Sequence, residues 1–255
     1  MMRELYQYRE LLKSNIRKEI RGKYKGSFLG VIWSFINPLL SVLVYAIVFP
    51  LVLKNTQPHY VTFLIIGIIP WTFFTTAILQ GTSTVWINGG IIKKVYFPRE
   101  ILPLSVVSSA LVNFLISCAI IGIFLLFSGI GFSTYILFMP IIIIAQYLLI
   151  LGMVLITSAI DVYIRDAEYI INFFMNMLFY ATPIIYSADL FPQKYKWISD
   201  LNPMAIIINS YRSILYYQEM PPIRSLLIIL LGDILLIFLG FKIFRKLSKG
   251  FAEEV

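Results

Sequence analysis

The sequence is poor in the residue types that most enzymes use for chemistry. Its 255 residues include one cysteine, Cys118, and one histidine, His59. A single cysteine cannot form a disulfide within the chain, and one cysteine with one histidine is too few for a His/Cys metal cluster. A lone histidine also does not support a serine triad. The G-x-x-x-x-G-K-[ST] pattern is also missing, and GKYKGS at 22–27 has the wrong spacing to cradle phosphates. We therefore predict no catalytic residues, no metal or cofactor bound by this chain, and no ATP hydrolysis by the chain itself.

Charge is scarce as well. Only 13% of the residues are charged and 59% are hydrophobic, with a mean hydropathy of +0.85. Soluble domains carry about 25% charged residues, so this composition predicts an all-α integral membrane protein. The net charge of +8 is therefore not evidence for nucleic-acid binding, and we expect none. No signal peptide is expected, because the first apolar run begins near Phe28, behind a long charged segment.

Six apolar runs are long enough to be membrane spans within a single transmembrane domain, 1–255. A hydrocarbon core of about 30 Å requires roughly 20 helical residues. The fifth run is the weakest, because Asn172 and Asn176 lie inside it and Thr182-Pro183 interrupts its end. The predicted spans cover residues 31–53, 60–80, 104–127, 135–160, 170–187 and 225–244.

Lysine and arginine counts predict the orientation. With both termini in the cytoplasm, sixteen of the 21 basic residues fall in cytoplasmic segments. This bias follows the positive-inside rule and predicts an inner (cytoplasmic) membrane protein with cytoplasmic N- and C-termini.

Residues 4–25 predict an amphipathic helix. The apolar stripe and a neighbouring row of cations both recur at three- or four-residue steps, as a helix lying on an anionic membrane surface requires. A solvated charged helix is the alternative. The stripe comprises Leu5, Tyr8, Leu12, Ile16, Ile20 and Tyr24, and the cations are Arg9, Lys13, Arg17, Arg21 and Lys25.

Two cytoplasmic connections are candidates for docking a partner. In 88–103, Gly89-Gly90 and Pro98 bracket a segment, Ile91 to Phe97, that predicts a short helix at the membrane edge. An ordinary loop obeying the positive-inside rule is the alternative. The second connection, 161–169, has four charges, and a pair between Asp161 and Arg165 at i,i+4 is expected to stabilise a helix end. A solvated helix end is the simpler reading, whereas a docking surface shared with the first loop is the functional one.

The external connection, 188–222, is too apolar for an ordinary loop. Met204 to Ile208 form an apolar run too short to span, and Asn202-Pro203 predicts a turn followed by a helix start. We predict a re-entrant hairpin of two short helices that serves as an external plug or gate. A loosely packed external loop is the alternative.

Two features inside the predicted spans remain open. Trp71, Phe73 and Phe74 lie within the second span, where rings lining a conduit would offer sugars flat apolar faces, although rings facing lipid or other helices are commoner. Asp233 lies near the middle of the last span. It is either a functional carboxylate or a buried acceptor of hydrogen bonds from a neighbouring helix.

The order of these motifs resembles one family. The basic helix is followed by GSFLGVIWSFINPLL, IPWTFF, KKVYFPREILP, VYIRDAEYI, TPIIY, and finally LNPM and YR. As a set they resemble the membrane subunit (permease) of type-2 ABC exporters for bacterial surface polysaccharides, which carry O-antigen (of lipopolysaccharide), capsule or teichoic acid. The resemblance extends over almost the whole chain, and the K-x-FPRE-x-LP stretch is most similar to the O-antigen and polysaccharide exporters.

The resemblance implies an assembly and a set of roles. A homodimer would form the path, and two separate ATP-binding subunits, holding ATP and Mg, would drive export of a polyprenyl-pyrophosphate-linked glycan. The loop around Lys93 would be a coupling helix, and a second contact would come from the 161–168 segment. The implied coupling residues are Lys93, Lys94, Tyr96, Phe97, Arg99, Glu100, Asp161, Arg165, Asp166, Glu168, Leu29 and Gly30.

Further roles follow from the same resemblance. Phosphate or lipid head-group contacts are assigned to Arg17, Arg21, Lys23 and Lys25. The path residues are Trp71, Phe73, Phe74, Tyr180 and Tyr186, and the external gate residues are Phe191, Trp197, Asn202, Pro203 and Tyr211. Two alternatives stay open: a type-2 ABC exporter of a small lipid or drug, and a membrane enzyme of polyprenyl-glycan metabolism. The enzyme would need an acid cluster or His with Arg at one membrane face.

Overall fold

The computed structural model describes residues 7–24, 30–53, 57–187 and 193–255, and all regular structure within these ranges is helical. Apolar runs become helices in such a protein because a helix satisfies its own backbone hydrogen bonds. In chain order the α-helices are α1 (Arg9–Tyr24), α2 (Trp33–Leu53), α3 (Tyr60–Thr82), α4 (Thr84–Ile87), α5 (Gly89–Ile92), α6 (Ile101–Phe127), α7 (Met139–Asp161), α8 (Ala167–Ala181), α9 (Lys196–Leu201), α10 (Pro203–Arg212), α11 (Ile223–Ser248) and α12 (Phe251–Glu254). Short 3₁₀ turns cover Gly30–Ile32, Thr134–Phe138 and Gln193–Tyr195, and a π-helical turn covers Ser213–Tyr217.

Helix α3 is the centre of the molecule. Every residue from Thr62 to Trp71 is buried, so the helix has no exposed stripe over this stretch. A helix that is apolar on all sides is expected to be surrounded by other helices. Helices α2, α6, α7 and α10 pack around it.

Helices α7 and α11 approach each other closely at two glycines. A Cβ atom on Gly240 would lie 3.0 Å from the backbone oxygen of Gly152, and one on Gly152 would lie 2.8 Å from Cγ of Leu236. Small residues allow this close approach between helices in a membrane, where packing replaces the hydrophobic drive for association. The pair α7–α11 is therefore held together by close backbone contact.

Four helices within the described residues are long and apolar enough to cross a membrane. They correspond to the second, third, fourth and sixth predicted spans and comprise Tyr60–Thr82, Ile101–Phe127, Thr134–Asp161 and Ile223–Ser248. The described part of the first run contributes a shorter apolar helix, Ile36–Pro50. The fifth run gives the 15-residue helix α8, which begins at Ala167 and ends before Thr182. Thr182 is extended because the residue before a proline is biased away from the helical region. The count of six spans is thus not confirmed by helix length alone.

Candidate functional site

The loop between α3 and α6 differs in detail from the predicted helix over 91–97. Gly89 and Gly90 begin the short helix α5 instead of ending the preceding one, and the helix stops at Ile92. The break lies at Asn88, whose backbone leaves the helical region at φ −94° and ψ 15°. Val95 to Pro98 have no regular structure, which agrees with the bias of the residue before a proline toward extended conformations. We call residues 88–100 the coupling loop, after the role that the resemblance implies for this connection and that stays a prediction.

The tip of the coupling loop is open. Lys93, Lys94 and Val95 are exposed, and Tyr96 is 91% exposed. A surface cavity of about 210 Å³ is lined by Ile92 to Phe97 and Arg99. Two cations and a phenol ring therefore stand at the tip, where a partner can contact them.

The inner side of the coupling loop faces its own chain. Phe97 and Glu100 are buried, and Glu100 Oε1 accepts a hydrogen bond of 2.8 Å from Nε of Arg245 at the end of α11. Arg99 is half-buried, with its guanidinium 5.8 Å from the ring centre of Phe251. These three residues, predicted to couple to an ATPase, lie away from the exposed tip, and contact with a partner through them stays a prediction.

The 161–168 segment does not form the predicted ion pair. Helix α7 ends at Asp161 and α8 begins at Ala167, so Asp161 and Arg165 are not on one helix and are not paired in the described structure. Asp161 is buried, while Arg165, Asp166 and Glu168 are exposed. Arg165 instead places its guanidinium 5.2 Å from the ring centre of Trp86 in α4. The second connection therefore contacts α4, directly before the first connection, and a shared docking surface stays a prediction.

Helix α1 confirms the amphipathic prediction over the residues that are described. Leu12, Ile16 and Ile20 are half-buried, and Arg17 and Arg21 are exposed. The helix packs against α6, and Nζ of Lys18 donates a hydrogen bond of 3.4 Å to Oδ1 of Asn88. Lys25, Leu29 and the side chain of Lys23 lie outside the described residues, and Gly30 is half-buried with φ +49°. The role of these positions stays a prediction.

Two cavities with mixed walls, mainly apolar but carrying a row of polar groups, lie side by side along α3 and α6. One, of about 280 Å³, and the other, of about 360 Å³, share Asn113 in their walls. Sequence reasoning missed this groove, although the signal is present: uncharged polar residues recur every fourth position on both helices, which places them on one face of each. The two rows are Thr72, Thr76 and Gln80 on α3, and Ser109, Asn113 and Ser117 on α6.

The aromatic residues predicted to line a path divide into two groups. Trp71 and Phe74 are buried against each other, with ring centres 5.4 Å apart, and Trp71 also packs on Phe179. Phe73 stacks on Phe114 at 4.9 Å and forms a wall of the 280 Å³ cavity. Tyr180 is 70% exposed and accepts, through its backbone oxygen, a hydrogen bond from the hydroxyl of Tyr186. Tyr180 is thus exposed, whereas Trp71, Phe73 and Phe74 are all buried, and of these three only Phe73 borders the 280 Å³ cavity.

The 188–222 connection, predicted to be an external hairpin, has the predicted helix start. Oδ1 of Asn202 accepts a hydrogen bond of 3.0 Å from the backbone N–H of Met204, and Pro203 occupies the first helical position. The amide of Asn202 also donates to the hydroxyl of Thr182 at 2.8 Å, which fixes the hairpin to the end of α8. Trp197 is exposed, and Phe191 lies outside the described residues.

A buried polar network holds α10 against the core. The hydroxyl of Tyr211, which is fully buried, donates to Oε1 of Gln146 in α7 at 3.0 Å. Nε2 of Gln146 in turn donates to the backbone oxygen of Pro70 in α3 at 2.8 Å. Buried polar groups of this kind require partners, and the network joins three helices through them.

Arg212 is the structural residue that sequence reasoning missed. Arg212 is one of the five basic residues that the lysine and arginine count leaves on the external side, yet it is almost fully buried and donates to the backbone oxygens of Pro183 and Ile184, each at 2.5 Å. Its guanidinium lies 3.5 Å from the ring centre of Phe63, and the missing side chain of Gly67 makes room for it. The available signal was its position shortly after the apolar run Met204 to Ile208, within a segment rich in tyrosine.

In the described part of the chain no group of three or more His, Cys, Asp or Glu residues lies close enough to hold a metal ion. Asp233 is buried in α11, and its Oδ2 has no hydrogen-bond partner among the described residues. Its role stays open between the two readings given by the sequence.

Together the long apolar helices define a polytopic membrane protein, and one of its connections is a basic, solvent-exposed loop. Comparison with known proteins makes the class specific. The model of the ABC-2 type transporter family matches residues 10–216, and the chain belongs to this family. The resemblance to the membrane subunit of type-2 ABC exporters is therefore confirmed.

Three similar proteins narrow the comparison. An O-antigen export system permease protein RfbA of Myxococcus xanthus is 32% identical over 257 residues, which cover all of this chain and 99% of that protein. Two Klebsiella pneumoniae proteins of the same name are 35% and 34% identical over 218 residues, or 85% of this chain and 84% of each relative.

Proposed function

We propose that this chain is the permease subunit of an ATP-driven exporter that moves a polyprenyl-pyrophosphate-linked, O-antigen-like polysaccharide across the inner membrane. Two copies of the chain form the path, and two ATP-binding subunits attach at its cytoplasmic side. Its relatives are named O-antigen export system permeases, which supports an O-antigen-like polysaccharide as the cargo. The observation that carries the proposal is the coupling loop, whose cationic, aromatic tip is exposed while its other side is anchored in the chain.

The groove along α3 and α6 supports a glycan as cargo. Its polar groups are hydroxyls and amides, which match sugar hydroxyls as donors and acceptors. Trp33, Phe73 and Phe114 in the walls offer apolar faces to sugar rings. The charged lining residues are Lys18 and Glu19, whose opposite charges do not select for a pyrophosphate. The groove therefore suits the sugar chain, and exposed Arg17 and Arg21 on α1 remain the candidates for the phosphates.

The proposed membrane arrangement has six spans with both termini in the cytoplasm. Helix α8 is about 22 Å long by its residue count, and the buried, non-helical stretch Thr182–Ile185 extends it toward the external side. The hairpin α9–α10 re-enters the outer half of the membrane. Its non-helical approach is tolerated there because Arg212 satisfies the carbonyls of that stretch.

An exposed face of α8 supports a second copy. Asn172, Phe173, Asn176 and Tyr180 are all exposed on this predicted span. Amides facing lipid are costly, so a helix of this composition is expected to face protein or a wet path. We propose that this face lies at the interface between two copies, beside the translocation path.

In the proposed mechanism, closure of the ATP-binding subunits presses on the coupling loop and on the 161–168 segment and shifts the helices as rigid bodies. The path then opens alternately to each side, and the external hairpin closes it at rest.

Reversing the charge of the loop tip tests this proposal. Lys93→Glu with Lys94→Glu is expected to lower surface glycan at least tenfold in cells that depend on this chain, because two attractive contacts become repulsive. Membrane abundance should stay unchanged, since both side chains are exposed. The matched control, Lys194→Glu with Lys196→Glu, reverses two exposed cations on the external side and should export normally. Full export by the loop variant would refute the proposed docking site.

Lining the groove with apolar side chains distinguishes a glycan from a small lipid or drug. Asn113→Leu with Gln80→Leu removes amides from the polar rows and should reduce glycan export several-fold without reducing ATPase activity. The chain-length distribution of the exported glycan should shift toward short chains. An unaffected glycan yield with altered export of an apolar compound would favour the small-molecule exporter.

A further inference from the structure

The inner side of the coupling loop rests on one small segment, residues 251–255. A Cβ atom on Gly89 would lie 2.9 Å from Cβ of Val255, so the loop and the segment are in direct contact. Phe251 is fully buried, with its ring centre 5.4 Å from that of Phe244 on α11. The segment is therefore wedged between the coupling loop and the last long helix.

Two polar contacts reinforce this packing. The guanidinium of Arg99 lies over the ring of Phe251, and Arg245 donates to Glu100 at 2.8 Å. The side chain of Glu100 is only 10% exposed and that of Arg245 is 45% exposed. Such a partly buried pair with hydrogen-bond geometry fixes relative position better than a fully exposed one.

The second cytoplasmic connection reaches the same place. The hydroxyl of Tyr163 donates to the backbone oxygen of Leu247 at 2.7 Å, and its ring packs near Phe251 with centres 6.2 Å apart. A Cβ at Gly250 would lie 2.6 Å from that hydroxyl, so a side chain at this position would displace the hydroxyl of Tyr163 from its present place. Both segments proposed to receive force thus contact the end of α11.

Helix α11 then carries this contact into the membrane. It runs from Ile223 to Ser248 without a break and packs closely on α7 at Gly240 and Gly152. A displacement of its cytoplasmic end is transmitted along the helix, since a continuous helix is stiff and its packed face cannot deform gradually.

We infer that Arg245, Phe251 and Val255 are positioning residues that fix the coupling loop to α11, so that the loop, Tyr163 and α11 move as one body during transport. The inference rests on the proposed function, because it assumes a partner that presses on the loop. It assigns to the last helix the task of carrying that movement across the membrane.

A reversible covalent lock tests the shared movement. Gly89→Cys with Val255→Cys, in a Cys118→Ser background, starts from a Cβ–Cβ distance of 2.9 Å. A disulfide needs about 3.5 to 4.5 Å, so a small outward shift of residue 255 brings the two thiols to bonding geometry. The complex with its ATP-binding subunit, in proteoliposomes holding the lipid-linked glycan, should transport within about twofold of the same preparation after reduction. Loss of transport on oxidation, regained with reductant, would mean that loop and segment separate during the cycle and would overturn the inference.

Weakening the contact provides the complementary test. Phe251→Ala should lower the amount of glycan moved per ATP hydrolysed about tenfold, while the ATP-binding subunit still co-purifies. Phe251→Leu should retain most of this ratio, and Glu254→Ala, an exposed neighbour in the same segment, should leave it unchanged. An unchanged ratio in Phe251→Ala would overturn the inference, as would loss of the ATP-binding subunit as the sole defect.

The ion pair keeps the inference testable if Phe251→Ala fails to fold. Arg245→Glu should lower the same ratio, and the exchanged pair Glu100→Arg with Arg245→Glu should restore it. A double exchange no better than the single variant would contradict a positioning role. The unmodified complex distinguishes failure of the proposed function from failure of the positioning role. If the unmodified complex moves no glycan, the proposed function is wrong. If it moves glycan and the variants move as much per ATP, only the positioning role is refuted.

Discussion

The two ends of the molecule use arginine and lysine in opposite ways. At the end predicted to be cytoplasmic, Lys93 and Lys94 are exposed at the tip of a loop whose inner side alone is packed. At the end predicted to be external, Arg212 is buried and donates to two backbone carbonyls beside an aromatic ring, while its Nε has no hydrogen-bond partner among the described residues. Lys93 and Lys94 are available for a partner, whereas Arg212 is part of the internal structure. The charge of a residue alone therefore does not indicate a binding site, because the burial of the side chain and its hydrogen-bond partners decide whether another protein can contact it.

The largest expected effect concerns Arg212. Arg212→Ala leaves two buried carbonyls without donors and a cavity beside Phe63, so we expect a loss of about 3 to 5 kcal/mol in the free energy of unfolding. Thermal unfolding in detergent and membrane abundance measure it. Arg224→Ala removes an exposed arginine nearby and should change little. An equal loss of stability in the two variants would contradict the structural role of Arg212.

The close contact of α7 and α11, between the two ends, should tolerate substitution less well than the rest of α11. Gly240→Ala pushes a methyl group against the backbone of Gly152 and is expected to cost about 1 to 3 kcal/mol. Gly232→Ala, on the same helix, meets no atom within 4 Å and should be neutral or slightly stabilising. A thermal shift assay on both proteins checks the difference. Equal destabilisation in Gly232→Ala would mean that close packing on Gly152 is not what makes Gly240→Ala costly.

The cap of α10 should have a smaller effect. Asn202→Ala removes the acceptor for the backbone N–H of Met204 and the bond to Thr182, for an expected cost of about 1 to 2 kcal/mol. Asn202→Asp keeps the acceptor but not the donor to Thr182, and should lie between the parent and the alanine variant in thermal stability. A fully stable alanine variant would show that the cap does not hold the hairpin.

The smallest effect on stability is expected at the exposed tip. Lys94→Ala and Tyr96→Ala should each change the free energy of unfolding by less than about 0.5 kcal/mol, because neither side chain packs on the protein. ATPase stimulation by the partner complex should nevertheless fall. A stability loss as large as that of Arg212→Ala would mean that the tip is packed, and the comparison would fail.

The sequence predicts the elements that depend on local pattern. The stripe of α1, the helix start at Asn202-Pro203 and four of the spans follow from spacing and turn chemistry, and the structure confirms them. The family was evident from the order of motifs, because that order survives where single residues change.

Features that depend on distant contacts were not predictable from the sequence. Arg212 finds its carbonyl partners some 28 residues earlier in the chain, and the two polar rows become a groove only when α3 and α6 lie side by side. In the sequence, Glu100 and Lys94 are both charged residues of one loop, and nothing there distinguishes a buried side chain from an exposed one. Glu100 faces the protein because Arg245, distant in the chain, donates a hydrogen bond to it. The pairing expected between Asp161 and Arg165 failed because the helix ends between them.

The central claim is that this chain is a conduit driven from outside itself, through its coupling loop. The most direct test compares uphill movement of lipid-linked glycan into vesicles containing the purified chain alone with movement into vesicles that also contain the ATP-binding subunit and ATP. The account predicts transport only in the second preparation, and loss of that transport in the Lys93→Glu, Lys94→Glu variant. Sustained uphill transport by the chain alone would contradict it.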